Sequence, residues 1–408
     1  MTGRVFDVPR NLRLVYALGL AREFTPMLAV WVVYLTDYRD LSLTQVAVME
    51  GLFWGVKLAM EIPSGAFGDR FGRRTTFITG LGLEATGTLV FAFAGDFNLL
   101  VVSYVIWSAG LAFRSGNDEA YLFETLKAGE REAEFSDRYG RYWALSTISL
   151  LAGGALGGLL AQVTSLQVAI LASVVPFGLA LPVVLSMQEP PWRQAHDTAL
   201  SLRATLTSGL RDVWRKAPVR NLVLLQVALW GAFPAFFLLA QPFLNRHDVP
   251  LAMFGLLAIP IHLARAGGGV ISGAAVRRFG IGTTLIAAVA GVVAGLTLVA
   301  AIDHVAAFAA IGLAMGAAML AMPAIGAYIN ERTESHVRAT VLSVAPMGSA
   351  LVMGGMSVVA GTIADESIRV AFGVMALAIA VGGGLALMAF LASHEEGERA
   401  GEAVVVEA

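Results

Sequence analysis

The stretch EIPSGAFGDRFGRRTT, residues 61–76, lies between two apolar runs, and after Glu61 it carries Asp69, Arg70, Arg73 and Arg74 within six positions. Charges so placed belong in a short turn at a membrane surface, because hydrocarbon excludes them and the flanking runs leave little chain to reach further. Gly65, Gly68 and Gly72 let helices approach closely and let the backbone bend sharply. One carboxylate among three guanidiniums reads as a latch.

A second copy sets the scale of the architecture. SGAFGDRFGRRTT at 64–76 recurs as SGAAVRRFGIGTT at 272–284, an offset of 208 with eight of thirteen positions identical. AYLFE at 120–124 is echoed by AYINE at 327–331. In a chain of 408 residues this is a half-length duplication, and it implies two similar bundles of six helices. The second copy has Val276 and Arg277 where the first has Gly68 and Asp69, so the carboxylate stays with the first half.

Composition agrees with a polytopic membrane protein. The chain is 57% hydrophobic and 14% charged, with a mean hydropathy of +0.72. A net charge of −2 offers no nucleic-acid footprint, the absence of cysteine excludes disulfides and thiolate sites, and no metal-ligand spacing or cofactor motif stands out. The N-terminus has no apolar core of its own, so no cleavable signal peptide is read. Twelve apolar spans of about 20 residues follow, from 12–36 and 43–66 to 340–363 and 368–392. The expected division is a bundle over 1–187, a linker over 188–218, a second bundle over 219–392 and a disordered acidic tail over 393–408. In the linker, Leu202, Leu206, Leu210, Val213 and Trp214 share one helical face, as in a helix lying on the membrane surface. Twenty-one Lys and Arg fall on one set of loops and termini, against Arg39, Arg246 and Arg369 on the other. That bias puts both termini in the cytoplasm.

Charges inside the spans are costly and so mark cavities or partners. Arg22 and Glu23 sit in the first span, about 100° apart on a helix, so at least one must reach another element. Glu50, Trp54, Lys57 and Glu61 form one stripe in the second span, with Glu61 one turn from Lys57; the stripe reads as a self-neutralised lock or as a gate. Glu84 lies in the third span. His262 and Arg265 share a face of the eighth span beside Pro260 and Gly267 to Gly269, a deformable stretch, and the histidine reads either as a hydrogen-bonding residue or as a proton site. Glu23 is the expected proton carrier: burial favours its neutral form while Arg22 favours its charge.

The pattern G-x-x-x-D-R-x-G-R-R at Gly65 to Arg74 resembles motif A of the major facilitator superfamily. In the fifth span Gly140, Ser149, Gly153, Gly154, Gly157 and Gly158 resemble the antiporter motif C, with Ser149 and Gly154 in place of a glycine and the proline; close packing of small residues explains them equally. With RSGNDEAYLFETL at 114–126 and RATVLS at 338–343, the chain resembles the twelve-helix drug:proton antiporters. The resemblance implies an all-α major facilitator fold and a transporter, not an enzyme, with protons, a small-molecule substrate and the lipid bilayer as partners and the monomer as its state. It pairs Asp69 and Arg73 with Asp118 in a cytoplasmic gate that also holds Gly65, Arg70, Gly72 and a competing Arg114. It further implies a peripheral third span, with a structural role for Glu84, and a cavity lined by spans one, four, seven and ten, here with Trp107, Gln226, Trp230, Phe233, Phe237, Met315 and Met319. Such an apolar, adaptable lining suits lipophilic compounds. A symporter or uniporter for a polar or anionic metabolite, favoured by Arg22, Arg265 and the incomplete motif C, and a membrane sensor that binds without transporting, are the other readings.

Overall fold

The computed structural model describes residues 6–191, 214–332 and 335–406, and among these the regular structure is all helix. Among these residues nine helices are long and apolar enough to cross a membrane. Twelve spans emerge once three features are resolved. The 51-residue helix Leu251–Ala301 is two helices joined at Gly280, whose φ of 78° and ψ of 162° no helix accommodates. The first span is broken, and Leu43–Phe71 carries Glu50, Lys57, Glu61, Asp69 and Arg70, which lower its hydropathy.

We label the spans α1 (Val8–Glu23), α2 (Leu43–Phe71), α3 (Arg73–Phe93), α4 (Phe97–Arg114), α5 (Phe135–Val163), α6 (Leu166–Ser186) and α7 (Ala217–Arg246). The remainder are α8 (251–279), α9 (281–301), α10 (Phe308–Arg332), α11 (Ser335–Ala364) and α12 (Ile368–Val406). Helix starts follow local chemistry: Asp7 caps α1 through Arg10, Ser42 and Gln45 form a capping box on α2, and Asp96 caps α4 through Leu99. The linker helix expected around Leu202 to Val213 lies outside the described residues. The helix of α12 runs on to Val406, into the segment expected to be disordered; Glu and Ala make up half of that segment, and both are good helix formers.

Two compact units result. The first holds α1 to α6 with Asp248–Ile259, and the second holds α7 and the chain from Pro260 onward. The start of α8 joins the first unit because glycines face glycines. A side chain at Gly255 would strike the backbone of Gly154 and Ala155, and one at Gly158 would strike the carbonyl of Leu251. Gly153 and Gly157 likewise admit the backbone of Phe24 to Pro26. Gly153, Gly154, Gly157 and Gly158 of the stretch resembling motif C therefore act as packing surfaces on both sides of α5, whereas Gly140 faces open space.

Each unit repeats the other's local geometry. Gly72 (φ 91°, ψ 161°) and Gly280 (φ 78°, ψ 162°) adopt the same conformation, open only to glycine. Ser64 donates to the carbonyl of Ala112 at 3.0 Å, and Ser272 to that of Leu320 at 2.7 Å. Thr76 donates to Gly72 O and Thr284 to Gly280 O, both at 2.8 Å. The first helix of each unit breaks at a proline, before the 3-10 turn Pro26–Ala29 and at Pro234–Phe237; proline removes an amide donor and crowds the preceding turn.

Candidate functional site

The site is built where α3 crosses α4. Gly80 and Gly110 let the two backbones meet: a side chain at Gly110 would lie 2.8 Å from the amide of Glu84, and one at Gly80 would lie 3.2 Å from Gly110 O. Arg114 follows Gly110 by one turn, so the close crossing carries its guanidinium to Glu84, at 3.7 Å. The same guanidinium binds Glu23 at 2.7 Å. Glu84 has a side chain 3% exposed, and its Oε2 has no hydrogen-bond partner.

Beyond Arg114 the helix stops, and Gly116 turns the chain through a left-handed residue (φ 73°) before it resumes as Asn117–Lys127. The break aims Asp118 at α1. Arg22 donates to both oxygens of Asp118, at 3.1 and 2.6 Å, and to the Tyr142 hydroxyl at 2.9 Å. It is 2% exposed. A bidentate pair with a third acceptor is the arrangement that offsets the cost of burying a guanidinium. The break in α1 falls directly after Glu23, with Thr25 capping the freed carbonyl of Arg22 at 3.3 Å. Arg22 and Glu23 thus sit at a helix end and not in the middle of a continuous span.

This geometry corrects the expected latch. Asp118 belongs to Arg22, and Arg114, expected to compete for it, bridges Glu23 and Glu84 instead. Arg73 binds Glu124 at 2.8 Å and Asp69 at 3.3 Å. Gly68 leaves the room, since a side chain there would lie 3.1 Å from the Arg73 guanidinium. Gly65 faces open space, and Arg70 lies over the ring of Phe71 at 5.3 Å, away from the latch. Two acceptors were missed in the sequence. Glu124 had a visible signal, its recurrence as Glu331 in the AYLFE and AYINE echo. Glu189 had none: its carboxylate accepts the amides of Arg73 and Arg74 at 2.5 and 3.0 Å, seated on the start of α3 beside Gly72.

In α2 the expected pair forms, Lys57 to Glu61 at 2.7 Å, with the Lys57 ammonium 5.9 Å from the Trp54 ring. Among the described residues Glu50 has no basic group within ion-pair distance. In the second unit His262 meets the edge of Phe236 at 5.3 Å between centroids, and Arg265 lies 5.4 Å from the Phe233 ring with no carboxylate partner among the described residues. Trp230 stacks on Phe233 at 4.1 Å, and Phe233 on Phe237 at 6.1 Å. Phe233 and Met315 are buried, whereas Gln226, Trp230, Phe237 and Met319 keep exposed surface. Trp107 packs inside the first unit, its backbone against Gly87 and its ring 5.3 Å from Phe53.

Paired guanidiniums and carboxylates inside spans, on a bundle written twice along the chain, define the class of multi-pass membrane transporters assembled from repeated halves. The chain belongs to the Major Facilitator Superfamily, whose family model matches residues 14–319. It is similar to the uncharacterized MFS-type transporter YxaM of Bacillus subtilis, 26% identical over 135 residues, which cover 33% of this chain and 30% of that protein. It is also similar to the multidrug efflux pump Tap of Mycobacterium tuberculosis, 23% identical over 248 residues, 58% of each chain. The matched segments thus span less than two thirds of either relative. Among solved structures, a mutant of nucleoside transporter NupG superposes with a TM-score of 0.80 at 9% identity, over 94% of this chain and 100% of that one. A bacterial homolog of the human lysosomal transporter Spinster gives 0.71 at 16% identity, over 95% and 97%. At these identities the two structures speak for the fold alone.

Proposed function

We propose that this transporter is a proton-coupled exporter of small lipophilic compounds, working by alternating access as a monomer in the inner membrane with both termini cytoplasmic. The observation that carries the reading is the cluster of Arg22, Glu23, Glu84, Arg114 and Asp118 inside the first unit. Ionisable groups held in hydrocarbon at such density are costly, and coupling to an ion is the function that repays them. Similarity to a multidrug efflux pump supports export, and the Trp230, Phe233 and Phe237 stack with Met319 supports an apolar substrate. In this reading Arg73, Asp69 and Glu124 latch the cytoplasmic end and release when the protein opens inward.

Arg265, with no carboxylate partner among the described residues, favours a second reading, a symporter or uniporter for an anionic metabolite. Purified protein in proteoliposomes with an imposed pH gradient separates the two. Export predicts that lipophilic dyes move against the proton flow and that organic anions do not; anion uptake with the protons would select the second reading. Single cysteines have no background in this chain, so Gly129→Cys and Asp303→Cys report orientation. An impermeant maleimide applied to intact cells should label only the second.

A further inference from the structure

The cluster in the first unit contains two guanidiniums, Arg22 and Arg114, and three carboxyls, Glu23, Glu84 and Asp118. Fully ionised it carries one net negative charge on side chains that are at most 22% exposed, a placement that disfavours an uncompensated charge. One bound proton makes it neutral. The distances say where that proton sits. Asp118 is committed to Arg22 by two bonds of 3.1 and 2.6 Å, and the Tyr142 hydroxyl is a third acceptor on the same guanidinium. Glu23 holds Arg114 at 2.7 Å and is 15% exposed. Glu84 is left with the same guanidinium at 3.7 Å, is 3% exposed, and keeps an oxygen that nothing satisfies. The groups facing it are Arg114 from α4, Asp118 from the helix beyond, and Arg22 and Glu23 from α1; the segment Val174–Ser186 packed on α3 brings no titratable side chain.

We infer that Glu84, in the span expected to be structural, is the carboxyl that holds the coupled proton, and that Arg114 moves between Glu23 and Glu84 as the proton leaves and returns. Deprotonated Glu84 draws the guanidinium from 3.7 Å into contact; that loosens Glu23, at the broken end of α1, and tells α1 whether the proton is present. Protonation restores the arrangement seen here. Only the proton on the Glu84 carboxyl is exchanged, and the cluster passes between a neutral state and one with a single net negative charge.

This inference rests on the proton-coupled reading for its role and on the charge count for its chemistry, so it is tested on both. Infrared difference spectra of the purified protein at neutral pH report protonated carboxyl groups. Glu84→Gln should remove one carboxyl from that band. Glu23→Gln should remove the same one, because two guanidiniums then face two carboxylates and Glu84 ionises onto Arg114. Glu50→Gln should leave the Glu84-dependent share unchanged. A band unaltered by Glu84→Gln overturns the inference, and one lost with Glu84→Gln but kept in Glu23→Gln overturns the shared guanidinium. In proteoliposomes Glu84→Gln should lose pH-driven accumulation and retain substrate exchange without a gradient; retained pH-driven accumulation overturns the role. Wild-type protein that shows no pH-driven flux while keeping the Glu84-dependent band would refute the proton-coupled reading and leave the proton site standing.

Discussion

Arg73, the first residue of α3 and directly after the Gly72 turn, binds Glu124 of the helix Asn117–Lys127 at 2.8 Å. Both partners are largely buried, at 18% and 13% exposure, whereas Asp69 is 44% exposed. The latch therefore depends more on Glu124 than on the acid of the motif. Glu124→Gln should lower stability by about 1.5–3 kcal/mol, the range for a charged hydrogen bond removed from a protected site. Asp69→Asn should cost less than about 1 kcal/mol. Thermal melts of the two variants check the order, and substrate flux should fall further in Glu124→Gln.

The two turn glycines make a matched pair of tests. Alanine at Gly280 meets no neighbour, so Gly280→Ala should cost only the backbone strain, about 1–3 kcal/mol. At Gly72 the new methyl would also press on the Glu189 carboxylate, 2.5 Å away. Gly72→Ala should melt lower than Gly280→Ala, and Gly72→Ala combined with Glu189→Gln should show less than the sum of the two losses.

Arg22 is 2% exposed, so removal of Asp118 takes away both charged bonds of a buried guanidinium and leaves it Glu23 at 3.9 Å as the nearest carboxylate. Asp118→Asn should cost about 3–5 kcal/mol, while Tyr142→Phe, which removes one neutral acceptor, should cost about 1 kcal/mol. Denaturation of detergent-solubilised protein measures both. A milder loss in Asp118→Asn than in Tyr142→Phe would contradict the bidentate pair.

Gly157 admits the carbonyl of Pro26, and a side chain there would overlap it; Gly82 faces open space. Gly157→Ala should destabilise by about 1–3 kcal/mol or prevent folding, through overpacking. Gly82→Ala should be neutral or stabilising by up to about 1 kcal/mol, because alanine is the better helix former. Expression level and melting temperature report the contrast.

How much of this was readable in the chain follows from the range of the interactions involved. Span length, loop charge and the 208-residue repeat are properties of contiguous sequence, and they led to the twelve helices, the two halves and the turn at Gly72. Lys57 and Glu61, one turn apart on one helix, paired as expected because a helix fixes that spacing. The break at Pro26 was not anticipated, although Pro234 stands at the matching place in the second half.

Partners drawn from different helices were another matter. By sequence alone Arg73 is expected on Asp69 and Asp118, with Arg114 competing for Asp118; the folded chain gives Arg73 Glu124 beside Asp69, and gives Arg114 Glu23 and Glu84. Gly116 rotates Asp118 toward α1, and Gly80 with Gly110 brings Glu84 under Arg114. A guanidinium takes the carboxylate that helix packing presents, and packing is fixed by the shapes of all the facing side chains at once. The repeat announced the scaffold, because a duplicated sequence folds twice in the same way; the ion pairs, made across helices by residues of which Glu124 alone recurs in the second half, had to wait for the folded chain.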